Sequence, residues 1–594
     1  MNRSASVDVV NCESVGLSQA LRTINRLPRW LASGLGLWLV PTLASPGLAA
    51  ERIIISYGPL QRSIPIEYIE TYAQEGRIEG GLRTYTRYFD DAQLVQLRDI
   101  LTNSIDLDVV AVSQFLYTEQ GETLLQRLGE VIRTESNLSG FYAIRAALIL
   151  AAAEPEGLTP LNVLKQFPLE GIRIDLARAL QDLSSLETLI GQTQEAVAAI
   201  AQQSEVEASE SIAELALLPD LEDPGPFAFR TETMQLVDGR RNRSFPADIY
   251  LPIQNSAAAS TTPVIVISHG LGSDRSTFAY FARHLASYGF AVAVPEHPGS
   301  NAQQLQSLVS GRANQVTAPD EFINRPLDIT YLLDQLERFA RENPSQFGQL
   351  NLQQVGVMGQ SFGGYTALAL AGGGINFTQL STDCPPIDSF NLSLLLQCRA
   401  TELPQPTVDL KDDRVKAIVA VNPIGSSILG EADFQAIDIP VMLVTSTADT
   451  VSPALPEQIR PFTWLNSSDK YLLMLEGGTH FSTIDVPNPE SEIVAIPPQV
   501  IGPDPALARS YLNVLGLAFF ATYTQNRPEY RAYLNAGYVR SISRATLPLN
   551  LIRSLTPAQL AQALQEELPP TPDQAPAAPG ETPDLQTEAD LSQF

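Results

Sequence analysis

Basic residues are scarce in this chain: 38 Lys and Arg stand against 66 Asp and Glu, a formal net charge of −28 over 594 residues. Such a field repels phosphate backbones and anionic bilayers, which argues against nucleic acid as a partner. Long apolar runs are missing as well. The stretch Trp30 to Leu43 contains Pro41 and falls short of the ~20 residues a spanning helix needs, so integral membrane anchoring is not expected. Cysteine is rare, with 3 in the chain, and so is histidine, with 4. A chemistry built on imidazole therefore has few places to reside.

What is present begins with a leader. Arg22, Arg26 and Arg29, the short apolar run, and Gly47-Leu48-Ala49-Ala50 before Glu51 follow the order of a secretory signal over residues 1–50. Cleavage after Ala49 or Ala50 is expected, a retained anchor being the alternative. No Cys follows the run to carry a lipid. The mature chain then keeps Cys384 and Cys398, and an even pair in an oxidising compartment reads as a disulfide, against two buried free thiols. A periplasmic or secreted protein is the expectation.

The length exceeds what one core supports, since single cores stop growing near roughly 250–300 residues. With 44% hydrophobic and 18% charged residues, most of the chain should fold. Over 51–183 apolar residues recur at helical spacing (Ile66, Ile69, Tyr72; Leu94, Leu97, Leu101; Leu124, Leu128, Ile132), predicting an all-α N-terminal domain. Thr159-Pro160 opens one of its helices. This domain holds neither His nor Cys and reads as structural or partner-binding. Residues 184–226, with Glu205, Glu207, Glu210, Glu214, Asp220, Glu222 and Asp223 and a closing Pro224-Gly225-Pro226, read as an acidic linker. From 227 to 548 short β-branched runs alternate with amphipathic helices. Residues 549–594 read as a helix followed by a disordered, acidic, Pro-rich tail.

Val264–Ser268, Ala291–Pro295, Gln354–Gly359, Val415–Asn422, Val441–Ser446 and Tyr471–Leu475 are nearly continuous apolar runs, as strands buried on both faces of a parallel sheet require. Arg230–Val237 and Phe245–Leu251, separated by Asp238-Gly239, predict a hairpin. The class is α/β, mostly parallel and doubly wound.

One strand ends in Gly359-Gln360-Ser361-Phe362-Gly363, a G-x-S-x-G turn leading into a helix. An attacking hydroxyl has to stand clear of the backbone, and a strained strand-to-helix turn puts it there. Chance offers roughly 0.2 such matches in a chain this long, so the strand-turn-helix context carries the weight. The α/β-hydrolase order is Ser, then acid, then His. Only His480 follows Ser361. Asp449, closing the run at Val444, is the candidate acid ahead of Asp433 and Asp438, which precede that strand. An oxyanion hole is expected from the backbone N–H groups of Leu271 and Phe362. His269, Glu296 and His297 are placed at the pocket rim, with His269 read as shaping the loop and a structural role as the alternative for His297, and His284 reads as structural.

Ser268-His269-Gly270-Leu271-Gly272, Glu296-His297 and the Ser361 turn together resemble secreted platelet-activating-factor acetylhydrolases and dienelactone-hydrolase-like esterases. The whole layout resembles a bacterial α/β-hydrolase family with an N-terminal helical domain of unknown function. The resemblance implies lipase-like or esterase activity, as in lipid catabolism, with neither metal nor organic cofactor. Two departures stand out. The acetylhydrolases place their acid where this chain has Asn422, and dienelactone hydrolases use a Cys nucleophile where this chain has Ser361.

Residues 372–412 form a long insertion carrying the Cys pair around Leu392, Leu394, Leu395 and Leu396, which reads as a disulfide-pinned cap over an acyl pocket or as a surface insertion. The reading is a serine hydrolase cleaving lipid or small acyl esters through an acyl-enzyme. The alternatives are a peptidase or amidase of the same fold, and a non-catalytic envelope interaction protein. A partner of the helical domain is not specified by the sequence.

Overall fold

Six of the predicted apolar runs lie side by side. In this computed structural model, residues 49–566 are described apart from 88–89, 106, 211–217, 254–260, 385–389, 407 and 486–497. The predicted signal up to residue 48 and the Pro-rich tail from 567 lie outside the described residues. From Ala49 onward the chain clusters as one compact unit.

Strands β1 (Arg52–Tyr57), β2 (Leu60–Pro65), β3 (Ile132–Thr134) and β4 (Gly171–Asp175) form a small sheet of order β2-β1-β4-β3 in the N-terminal region. The nine-stranded sheet is built from β5 (Phe229–Asp238), β6 (Arg243–Pro252), β7 (Thr262–Ser268), β8 (Ala291–Pro295), β9 (Leu350–Gln360), β10 (Val415–Val421), β11 (Val441–Ser446), β12 (Lys470–Leu475) and β13 (Leu549–Ile552). Its order is β13-β12-β11-β10-β9-β7-β8-β6-β5. The run from β8 through β12 is parallel, with the predicted β5–β6 hairpin at one edge and β13 antiparallel at the other.

Alternate side chains of each central strand feed two cores, one on each face. Val264, Val266, Val357 and Leu443 pack toward helices Glu321–Glu342 and Phe362–Leu370. Ile265, Ile267, Met358 and Val444 pack toward helices Ala279–Ser287 and Pro505–Tyr523. Residues buried on both faces need no polar alternation, which is why these strands read as unbroken apolar runs. The carboxyl ends of the parallel strands point the same way, and in such sheets ligands bind there.

The N-terminal region contains the expected helices, among them Ile66–Glu75 and Glu119–Val131 around Leu125, Ile144, Ala147 and Phe167, and Asp91–Thr102, whose Leu101 packs with Tyr72 and Leu161 in a second small core. Thr159 caps the helix Pro160–Lys165 by accepting from Asn162 N–H at 3.0 Å. The small sheet joins these helices. Its parallel pairing of β1 with β4 links segments far apart in the chain, and no short-range pattern announces such a pairing.

The expected linker over 184–226 is corrected in its first part. A single helix, Leu176–Glu210, runs through the boundary at 183. Ala196 and Ile200 on it are fully buried against the hydrolase core. One of its acids also binds within the fold: the Glu207 carboxylate accepts from the Arg553 and Ser554 N–H groups just beyond β13. The 549 boundary moves too, because β13 completes the large sheet before the predicted C-terminal helix, here Pro557–Ala563.

Candidate active site

The turn after β9 is too tight for side chains on its glycines. A Cβ on Gly359 would stand 1.9 Å from the Gly363 carbonyl oxygen, and one on Gly363 2.1 Å from that of Ser268. Between them Ser361 takes φ 56° and ψ −118°, a region costly for any residue with a Cβ. The helix Phe362–Leu370 starts at once, so its unsatisfied N-terminal N–H groups and partial positive charge face the serine.

Asp449 follows β11 and His480 follows β12, and the structure brings the two together. His480 Nδ1 lies 2.6 Å from Asp449 Oδ2, in a pair that is almost wholly buried. The other carboxylate oxygen accepts from the N–H groups of Val451 at 2.8 Å and Ser452 at 2.7 Å, which fixes the carboxylate plane. The His480 backbone is tied to the serine turn: Gln360 Nε2, one residue before Ser361, donates to the His480 carbonyl at 3.1 Å. Asn422, after β10, donates to the Ser446 hydroxyl and to the Thr479 and His480 carbonyls. Neither Ser361 Oγ nor His480 Nε2 has a hydrogen-bond partner among the described residues. The same holds for the N–H groups of Leu271 and Phe362, the two expected oxyanion donors.

The predicted rim residues are corrected: His269, Glu296 and His297 are buried under the site. His297 N–H donates to His269 Nε2 at 3.0 Å, while His269 Nδ1 donates to the Gly270 carbonyl at 2.8 Å, so His269 is neutral with its tautomer set. Burial, helped by the Arg325 guanidinium, holds its pKa well below the usual imidazole range. Burial does the same for His297, whose Nε2 accepts from the Ser268 hydroxyl at 3.0 Å and whose Nδ1 faces Asp328 at 3.1 Å. Glu296 accepts from the Arg275 N–H and the Asn301 amide.

Arg325 joins this foundation. Its fully buried guanidinium donates to the His269 carbonyl and, at 2.9 Å, to the Ser300 hydroxyl, and it lies 4.6 Å over the Phe362 ring. Burial pushes its pKa down to about 10. One cation thus touches both expected oxyanion segments. Nothing in the sequence marked it, because Pro326 masks the start of its helix; Gln360 and Asn422 were in view, as a member of the serine turn and as the acid position of the acetylhydrolases, but their bonds to the His480 loop join segments far apart in the chain.

The predicted disulfide Cys384–Cys398 is formed in the insertion. A fully buried carboxylate, Glu457, fastens that insertion: it accepts from the Asn391 amide, from Ser393 Oγ and Gln397 Nε2 at 2.9 Å each, and from Gly425 N–H at 2.9 Å. Arg399, beside the disulfide, pairs with Glu119 of the N-terminal region at 2.9 Å. The insertion is therefore braced from two sides.

Fold and sheet topology define a protein of the α/β-hydrolase class. Residues 49–175 match the family model described as "Alpha/beta hydrolase of unknown function (DUF1400)", and residues 235–323 match that of "Platelet-activating factor acetylhydrolase, isoform II". The first match covers the N-terminal helices and small sheet; the second runs from β5 through the His269–Gly272 loop and Glu296-His297. Over these two segments the chain is similar to α/β-hydrolases, the second of the acetylhydrolase type. Among the described residues no helix is long and apolar enough to cross a membrane.

Proposed function

We propose that the protein is a serine hydrolase of carboxylic esters, with Ser361 as nucleophile, His480 as general base and Asp449 as the acid that orients it. The observation that carries this reading is the buried 2.6 Å contact between His480 and Asp449, in a loop tied by Gln360 to the strained Ser361 turn.

With Nδ1–H donated to Asp449, the proton-free Nε2 of His480 takes the hydroxyl proton as Ser361 Oγ attacks the acyl carbon. Asp449 stabilises the imidazolium formed. The oxyanion of the tetrahedral intermediate is held by the Leu271 and Phe362 N–H groups, and one such donor is worth about 3 kcal/mol of transition-state stabilisation. His480 returns the proton to the departing alcohol, leaving an acyl-Ser361 ester. Water, activated by the same imidazole, then releases the acid and restores the hydroxyl. The substrate class is a lipid or small acyl ester, in keeping with the acetylhydrolase-type match.

The setting proposed is outside the cytoplasm, where the Cys384–Cys398 bridge persists and where the leader-like sequence would direct the chain. Labelling by a fluorophosphonate probe tests the chemistry: the parent protein reacts and turns over p-nitrophenyl esters in preference to peptide anilides, and Ser361→Ala does neither. Persistent labelling of Ser361→Ala would move the nucleophile elsewhere.

A further inference from the structure

Helix Leu176–Glu210 carries more apolar surface than its core contact needs. One stripe, with Ala196 and Ile200, is fully buried. A neighbouring stripe at helical spacing, Leu189, Ile190 and Val197, instead forms one wall of a cleft of about 880 Å³. Phe390 and Leu392 of the insertion form the opposite wall, and the loop Thr447–Thr450, with Asp449, closes one end. Ile190 and Leu392 remain 49% and 43% exposed. Single exposed apolar residues are ordinary. Five apolar residues from two separate segments, two of them exposed and three half-buried, converging on a cleft that ends at a candidate catalytic loop, are the composition of a ligand site, and the volume lies within the ~300–1,000 Å³ such sites span.

We propose that this cleft binds the hydrocarbon chain of the ester substrate, an inference that rests on the serine-hydrolase reading above. The charge of the walls selects the chain over a headgroup: no Lys, Arg or His lines the cleft among the described residues, and its ionisable members are Asp449 and Glu476. A phosphate or free carboxylate would meet only like charge there, whereas a neutral alkyl chain gains by leaving water. The walls are preformed. Glu457, the disulfide and the Arg399–Glu119 pair fix the insertion, and Arg127 of the N-terminal region lies 5.7 Å over the Phe390 ring. The N-terminal region thus acts on specificity by bracing one wall of the cleft.

The test is chain-length selectivity, read as the ratio of kcat/KM for p-nitrophenyl dodecanoate to that for the acetate. Each buried methylene is worth up to about 4-fold. Ile190→Trp and, from the facing wall, Leu392→Trp fill the cleft from half-exposed positions and should each lower the ratio about tenfold or more. Leu180→Trp, exposed on the same helix outside the cleft, should leave it as in the parent. An unchanged ratio in both filled variants overturns the proposal. If the parent turns over no ester and Ser361 is unlabelled, the serine-hydrolase reading fails, and the cleft is then judged by binding of laurdan, a neutral fluorophore with a lauroyl chain. Binding lost in Ile190→Trp supports the site; binding equal to that of the parent removes it.

Discussion

Asp449→Asn changes one atom and should remove nearly all activity, because the surrounding bonds dictate how the new amide sits. One carboxylate oxygen of Asp449 accepts from the Val451 and Ser452 N–H groups at 2.8 and 2.7 Å. The other faces His480 Nδ1 at 2.6 Å. An Asn at this position has one oxygen and one NH2 to distribute. Pointing the NH2 at the two backbone donors would leave both unpaired in a buried site, at about 1–3 kcal/mol each. Pointing it at His480 costs only a change of imidazole tautomer. The second arrangement wins, so Nδ1 becomes an acceptor and the proton moves to Nε2, the nitrogen that has to be free to receive the serine proton. Loss of the correct tautomer in a serine triad lowers kcat about 10⁴-fold, equivalent to about 5 kcal/mol. The measurement is p-nitrophenol release from a short ester, with active sites counted by the acylation burst and folding checked by an unchanged Tm. An Asp449→Asn protein with kcat within about tenfold of the parent would show that Asp449 does not set the His480 tautomer.

Two further outcomes concern stability. Cys384→Ser together with Cys398→Ser opens a loop of sequence separation 14, and urea denaturation should show a loss of about 3 kcal/mol that reductant reproduces in the parent. His284 is buried and its pKa is pushed down to about 4 by that burial. Between about 4 and its unfolded value near 6.5 the unfolded chain binds the proton and the folded chain does not, so stability is present above that window and is lost as pH falls through it. His284→Asn should flatten the difference between unfolding free energies at the two ends by about 3 kcal/mol, and equal pH profiles for parent and variant would refute this.

The parts of the molecule legible in the sequence are those where local pattern and tertiary burial agree. Ala291–Pro295 and Val441–Ser446 have the predicted bounds because both faces of each strand are covered, so every position is apolar up to the hydroxyls of Thr445 and Ser446 at the end of the second. The serine turn was legible for the same kind of reason: Gly359 and Gly363 meet hard backbone contacts that no other residue survives. Helix Leu176–Glu210 was not, because its last turns carry acids without cations, the composition of a solvated linker. One of those acids, Glu207, is held by the distant N–H groups of Arg553 and Ser554, which no window of local sequence contains. His297, open in the sequence between the pocket rim and a structural role, takes the structural one. A histidine after a strand in this fold invites a place in the pocket, yet Asp328 and Ser268, contributed by a helix and another strand, hold its ring wholly inside.

Asn422 shows why the acid position expected from the acetylhydrolase resemblance is not simply vacant here. Its side chain is fully buried, and Nδ2 donates toward the carbonyl oxygens of Thr479 at 3.3 Å and His480 at 3.4 Å and toward the Ser446 hydroxyl at 3.2 Å. An ionised carboxylate has no hydrogen to give. Placed there, it would face two carbonyl oxygens in a buried site and push away the loop that carries the His480 ring. The amide instead draws that loop in, on the side where Gln360 also donates to the His480 carbonyl. With the loop held by two amides, the ring reaches Asp449 beyond the next strand, and the backbone N–H groups of Val451 and Ser452 supply the partners a buried carboxylate requires. Asn422 after β10 thus serves as a donor that holds the histidine loop, while the carboxylate that contacts the His480 ring is Asp449 after β11.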